Sequence, residues 1–128
     1  MIVGFTGTRK GMTDGQVKYF ASELSLLNAT EFHHGDCIGA DEQANKVARS
    51  MGIKTAGHPP IDSKNRAFCK CDMWFEPKPY LERNCDIVNA CDVLFVAPRF
   101  NYEEQRSGTW STFRFADKIG TKIIMVER

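Results

Sequence analysis

At 128 residues the chain suits a single domain, long enough to bury a core and too short for two ordinary ones. Apolar residues make up 42% and charged residues 26%, proportions that exclude a disordered chain. The formal net charge of +1, with no long block of either sign, argues against the basic stripe of a nonspecific nucleic-acid binder. No apolar run approaches the roughly 18–20 residues that cross a bilayer.

The first apolar run, Ile2–Thr6, predicts a strand. The N-terminus lacks the basic start and cleavage site of a signal peptide, so a cytoplasmic location is expected and the five cysteines read as reduced thiols. Thr13 and Gln16 then carry the spacing of a capping box. Val17, Phe20, Ala21, Leu24 and Leu27 follow at intervals of three and four, one face of a helix. Thr30–His34 predicts a second strand. Ala40, Ala44, Val47, Ala48 and Met51 form the next helical stripe, closed by Gly52. Ile53–His58 predicts a third strand. Residues 59–78 show no clean period, and so long a connection points to a binding loop. Leu81, Cys85, Val88 and Cys91 form a third stripe, which would leave Glu82 and Arg83 off the core face. Val93–Ala97 is the fourth strand. Trp110, Phe113, Ala116 and Ile119 make the last helix, closed by Gly120, and Lys122–Val126 is the fifth strand. Strands alternating with helices require crossover connections. The expected fold is therefore a Rossmann-like three-layer α/β/α domain with a five-stranded, mainly parallel sheet in the order 3-2-1-4-5.

Ligands of open parallel sheets bind beyond the carboxyl ends of the strands, where strand order reverses. Three segments fall there. Gly7, Thr8 and Arg9 follow the first strand; a glycine turn can present backbone N–H groups to an anion, and Arg9 adds a donor fork. Gly35 and Asp36 follow the second strand. Asp36 is a candidate acceptor for ribose hydroxyls, whereas Asp41, at a helix start, reads as a cap. Ser107, Gly108 and Thr109 open the last helix, where free N–H groups and the helix dipole favour phosphate. Arg83 and Glu82, beside the switch point, complete the set.

These segments resemble the SLOG superfamily, which groups the Lonely Guy phosphoribohydrolases with Smf/DprA-like proteins. The likeness rests on Gly4-Phe5-Thr6-Gly7-Thr8-Arg9, on His34 through Asp41, and on Leu81-Glu82-Arg83-Asn84 with Ser107-Gly108-Thr109. It implies a Rossmann-like domain binding a nucleotide or nucleotide-derived ligand. Gly7, Thr8, Arg9, Gly35, Asp36, Arg83, Ser107, Gly108 and Thr109 would hold it. The Lonely Guy enzymes cleave the N-glycosidic bond of nucleoside 5′-monophosphates, and Arg83 falls on their signature arginine. Two features depart from that signature. The double glycine after Pro98 is replaced by the longer segment 99–106, and the family's terminal glutamate falls on Thr112. An enzyme here would depend on Arg83 with Glu82, Asp36, Glu103 or Glu104 as the carboxylate. Binding without catalysis needs none of these carboxylates and is the leading expectation. Single-stranded DNA binding, known among Smf/DprA-like relatives, ranks last because no basic stripe is present.

Cys69 and Cys71, with Cys37, lack the paired spacing of a structural zinc site, so no metal and no cofactor are expected. Cys85 and Cys91 read as small core residues. Phe68, Trp74, Phe75 and Tyr80 in or beside the irregular loop would suit either base stacking or the interface of a homodimer, which the related enzymes form.

Overall fold

A computed structural model describes residues 1–128. The elements run β1 (Ile2–Gly7), α1 (Asp14–Leu26), β2 (Glu31–His34), α2 (Ala40–Ser50) and β3 (Lys54–Gly57). They continue with β4 (Met73–Trp74), α3 (Tyr80–Ala90), β5 (Val93–Ala97), α4 (Gly108–Ile119) and β6 (Lys122–Met125). All strands are parallel, in the order β4-β3-β2-β1-β5-β6. The expected α/β/α architecture is present, with one strand more than the five anticipated. The addition is β4, which pairs through Ala56 with Met73 and Gly57 with Trp74 at the edge of the sheet. The long loop is thus partly ordered, with a short 3₁₀ turn at Ser63–Asn65 as well.

The central strands are covered on both sides, and this explains their continuous apolar sequence. Every residue of β5 is buried. On one face α1 and α2 bring Phe20, Leu24, Ala40, Ala44 and Ala48 against Val3, Phe5, Phe32 and Phe95. Phe20 packs edge-on to Phe5 and Phe95 at centroid distances of 5.3 and 4.9 Å. Such aromatic pairs add about 0.5–1.5 kcal/mol each beyond the area they bury. On the other face α3 and α4 supply Ile87, Val88 and Ala116 against Leu94 and Val96.

Helix α1 begins as its sequence dictates: Thr13 Oγ1 accepts from Gln16 N–H, and Gln16 Oε1 accepts from Thr13 N–H. The Gln16 amide also donates to the Val126 carbonyl at 2.8 Å, tying the helix start to the end of the chain.

Helix α3 is rotated relative to expectation. Its buried residues are Arg83, Ile87 and Val88, while Leu81 is 67% exposed and Cys85 and Cys91 are only half-buried. An arginine therefore occupies a place that the apolar stripe assigned to leucine and cysteine. The reason lies at the sheet's carboxyl edge, where backbone carbonyls, not apolar side chains, meet the first turn of this helix.

Candidate functional site

Strand β1 ends between β2 and β5, and the loops after these three strands rim a cavity of about 560 Å³. The β1–α1 turn forms its floor. Thr8 N–H donates to the Ala97 carbonyl at 2.9 Å, extending the β1–β5 ladder. The Thr8 carbonyl accepts from both Gly11 N–H and Ala40 N–H, at 3.1 and 3.0 Å. This second bond caps the start of α2 with backbone, so the β1–α1 turn and helix α2 are locked together. Gly39, the N-cap, has φ 89° and ψ −123°, a conformation that only glycine adopts without strain.

Arg83 reaches into this site from α3 and is 5% exposed. Its Nη1 donates to the carbonyls of Gly35 and His58, the latter at 3.0 Å. Nε donates to Asn84 Oδ1 at 2.7 Å, and Nη2 meets only the Cys37 sulfur, at 3.7 Å. The guanidinium lies 5.3 Å from the Tyr80 ring centroid. No carboxylate forms an ion pair with it. A buried cation is costly unless paired, and Asp41 acts on this guanidinium from nearby without forming an ion pair, so Arg83 keeps capacity for an anion in the cavity. Gly35 makes the approach feasible: a Cβ there would collide with the guanidinium and lie 3.1 Å from Asp41 Oδ2.

Neither aspartate is placed as expected. Asp36 is fully buried but turned away from the cavity: its Oδ2 pairs with Arg66 Nε at 2.6 Å and its Oδ1 accepts from Cys69 N–H at 2.8 Å. It holds the 59–78 loop against β2 and is not placed to accept from a ribose in the cavity. Asp41 lines the cavity and does not cap α2. Its Oδ2 instead accepts from Gly35 N–H and Cys37 N–H, both at 3.2 Å, while Oδ1 has no partner. Burial pushes the Asp41 carboxyl above its ordinary range, and the nearby His34 and Arg83 oppose that rise.

At the opposite rim, Ser107 caps α4 by accepting from Trp110 N–H at 3.2 Å. Gly108 and Thr109, in the first turn, line the cavity, as do Arg99, Glu104 and Arg106 from the preceding segment. Arg99 is paired with Glu104 at 3.0 Å. Of the residues singled out in the sequence, Gly7, Thr8, Arg9, Gly35, Arg83, Ser107, Gly108 and Thr109 all line this one cavity. Glu82 does not: it is exposed and lies 3.9 Å from Lys78. Glu103 is likewise outside, paired with Arg114. Thr112, at the family glutamate position, donates its hydroxyl to the Gly108 carbonyl. Tyr80 lines the cavity, whereas Phe75 stacks on His58 and Trp74 lies against Gly57.

Lys64 and Asn65 were not legible as site residues. The Asn65 carbonyl accepts from Ile38 N–H at 2.9 Å, which seats the 63–65 turn at the rim. No group of three or more potential metal ligands comes together; Cys71 approaches His34 alone, at 3.4 Å.

Beneath the site, His34 is fully buried. Its Nδ1 accepts from Asp36 N–H and its Nε2 donates to Asn45 Oδ1, so the ring is neutral with its proton on Nε2. Burial lowers its pKa, and burial together with His33 brings that of His58 down to about 3. An unfolded imidazole takes up a proton near pH 6.5, so below that value the unfolded chain binds more protons than the folded one. Stability is then lost as pH falls, by up to about 1.4 kcal/mol per pH unit for each histidine. The raised carboxyl of Asp41 acts in the opposite sense at lower pH, between its ordinary and its raised value. The melting temperature should therefore fall between about pH 6.5 and 5.5, and His34→Gln should flatten the fall. A melting temperature flat across that interval would contradict the assignment.

No protein-family model matches the sequence, and no curated protein matches it. Solved structures do match. The chain shares its fold with cofactor carriers and DNA-processing proteins. The molybdenum cofactor binding protein of the phototrophic bacterium Rippkaea orientalis superposes with a TM-score of 0.72 at 23% identity, covering 97% of this chain and 74% of that one. The molybdenum cofactor carrier protein of Chlamydomonas reinhardtii gives 0.68 at 18% identity, covering 97% and 75%. DNA processing protein A of Helicobacter pylori, described with a single-stranded DNA binding mode, gives 0.67 at 22% identity, covering 98% of this chain and 64% of that protein. At such identities the likeness concerns the fold alone.

Proposed function

We propose that the cavity binds a nucleotide or another phosphorylated ribose ligand at the carboxyl edge of the sheet. The observation that carries this reading is Arg83: a buried guanidinium, fixed by two backbone carbonyls, facing the cavity with no carboxylate of its own. Phosphate would rest beside Arg9 of the Gly7–Arg9 turn and on the first turn of α4, where the leading N–H groups and the helix dipole attract anions. The cofactor bound by the structurally similar carriers belongs among the ligands to be tried.

Binding is favoured over N-glycosidic hydrolysis by the fate of the carboxylates. Asp36 is consumed by Arg66 and Cys69, Glu82 and Glu103 lie outside the cavity, Glu104 lines it but is paired with Arg99, and Thr112 stands where the hydrolases carry glutamate. DNA binding, as described for the similar DNA-processing protein, would leave the buried Arg83 without a role.

The test is thermal stabilisation by nucleoside monophosphates, ADP-ribose, cyclic dinucleotides, NAD and the molybdenum cofactor. A ligand at a hundred times its dissociation constant should add about 2.7 kcal/mol. The shift should shrink in Arg9→Ala and Thr109→Ala, and chromatography of the mixture should return the ligand intact. Release of a free base would favour the hydrolase, and silence across the panel would refute the small-ligand reading.

A further inference from the structure

The rigid anion-binding features of the cavity lie at its two ends. Arg83 is held at the β2 end by the Gly35 and His58 carbonyls and cannot swing across the site. The first turn of α4 begins beyond the β5 end, with Ser107 satisfying the N–H of Trp110. Strands β2 and β5 are separated by β1, so the two ends stand two strand spacings apart, about 10 Å. One phosphate is too small to engage both.

Charge follows the same division. Six cations line the cavity against three carboxylates, Asp41, Asp62 and Glu104, in a chain whose formal net charge is only +1. Lys64 is at the Arg83 end, carried by the turn that docks through the Asn65 carbonyl on Ile38 N–H. Arg106 directly precedes the Ser107 cap at the other end. Arg9 and Lys10 stand between them. None of these four, nor Arg83, is ion-paired, and only Arg99 has a carboxylate partner. A lone phosphate monoester, at most a dianion, would leave one end of this array uncompensated.

We infer that the ligand carries two phosphate groups set apart by its sugar, one held at the α4 end with Arg106 and the other at the Arg83 end with Lys64. This rests on the cavity being a phosphorylated-ligand site, and it specifies the class: a bisphosphorylated nucleoside, not a monophosphate or a nucleoside whose phosphates are adjacent. The separation gives the selectivity. Two adjacent phosphates place both charges at one end, whereas 3′,5′-substitution directs them toward opposite walls.

The experiment is calorimetric titration of the full chain with the four common nucleoside 5′-monophosphates, their 5′-diphosphates and their 3′,5′-bisphosphates. For the preferred base, the bisphosphate should bind at least tenfold more tightly than both the monophosphate and the 5′-diphosphate. Lys64→Gln, an exposed change that should not disturb folding, should remove most of that gain, weakening the bisphosphate several-fold more than the monophosphate. Arg106→Gln should weaken both. Equal affinity for mono- and bisphosphate, a 5′-diphosphate as tight as the bisphosphate, or a Lys64→Gln loss shared equally by both overturns the inference and leaves the one-phosphate site standing. Failure of every phosphate ester to bind overturns the site reading and this inference together.

Discussion

Replacing Arg83 with methionine is expected to remove most of the ligand-induced stabilisation while changing the stability of the free protein little. Two opposing terms make the second half of that expectation. Truncation leaves the Gly35 and His58 carbonyls without their donor, a loss of about 1–3 kcal/mol each when buried. It also removes a buried cation that no carboxylate pairs with directly, which relieves a desolvation penalty of similar size. Binding has no such compensation. Losing a charge-assisted contact to phosphate costs about 2–3 kcal/mol, or roughly thirty- to a hundredfold in dissociation constant. Arg83→Lys should recover charge without the fork, since an ammonium cannot hold two carbonyls and an anion in the same plane. It should bind between the other two. Denaturant melts with titration of all three proteins would check this, and an Arg83→Met protein of unchanged affinity would remove the residue from the site.

The second large effect is expected at Gly39. With φ at 89° and ψ at −123°, an alanine there takes on strain of about 1–3 kcal/mol. Its Cβ would also run into the Arg9 carbonyl and lie 2.8 Å from that of Thr8. These are backbone atoms and cannot rotate aside, so the β1–α1 turn must part from α2. A total loss near 4 kcal/mol follows, adding overpacking of about 1–3 kcal/mol to the strain. For a domain of this size the melting temperature should fall by about 12–15 °C. Ligand affinity should fall with it, because the Thr8 carbonyl would lose its bond to Ala40 N–H and the Arg9 turn its place. A Gly39→Ala protein with wild-type melting would show that the turn and helix are not locked as described.

The alternation of strands and helices was legible because β1 and β5 are buried on both faces and the helical stripes are long. The loops after β1, β2 and β5 could be placed at one edge because parallel strands all end there. Arg83 was misplaced for a physical reason. Its helix face is half apolar, through Ile87 and Val88, and half polar, meeting carbonyls at the sheet edge, so an apolar count rotates the helix toward Leu81 and Cys85. Strand β4 escaped notice because it has two residues, both exposed, and no alternation to read. Lys64 gives no local signal either. Its position depends on Asp36 holding Arg66 and Cys69 N–H, contacts spanning 30 and 33 residues. Asp36 itself was recognised as important but assigned to the ligand, since sequence shows that an acidic residue follows a strand and not which way it turns.

The brevity of β4 has a consequence for assembly and solubility. A sheet ending in a two-residue strand offers almost no free backbone for another chain to pair with, and at its other side β6 opens with an exposed lysine. Both are devices that keep exposed strands from recruiting neighbours into continuous sheets. Pairing through the β4 edge should thus be disfavoured, so that association on that side would run through side chains and not through a shared ladder.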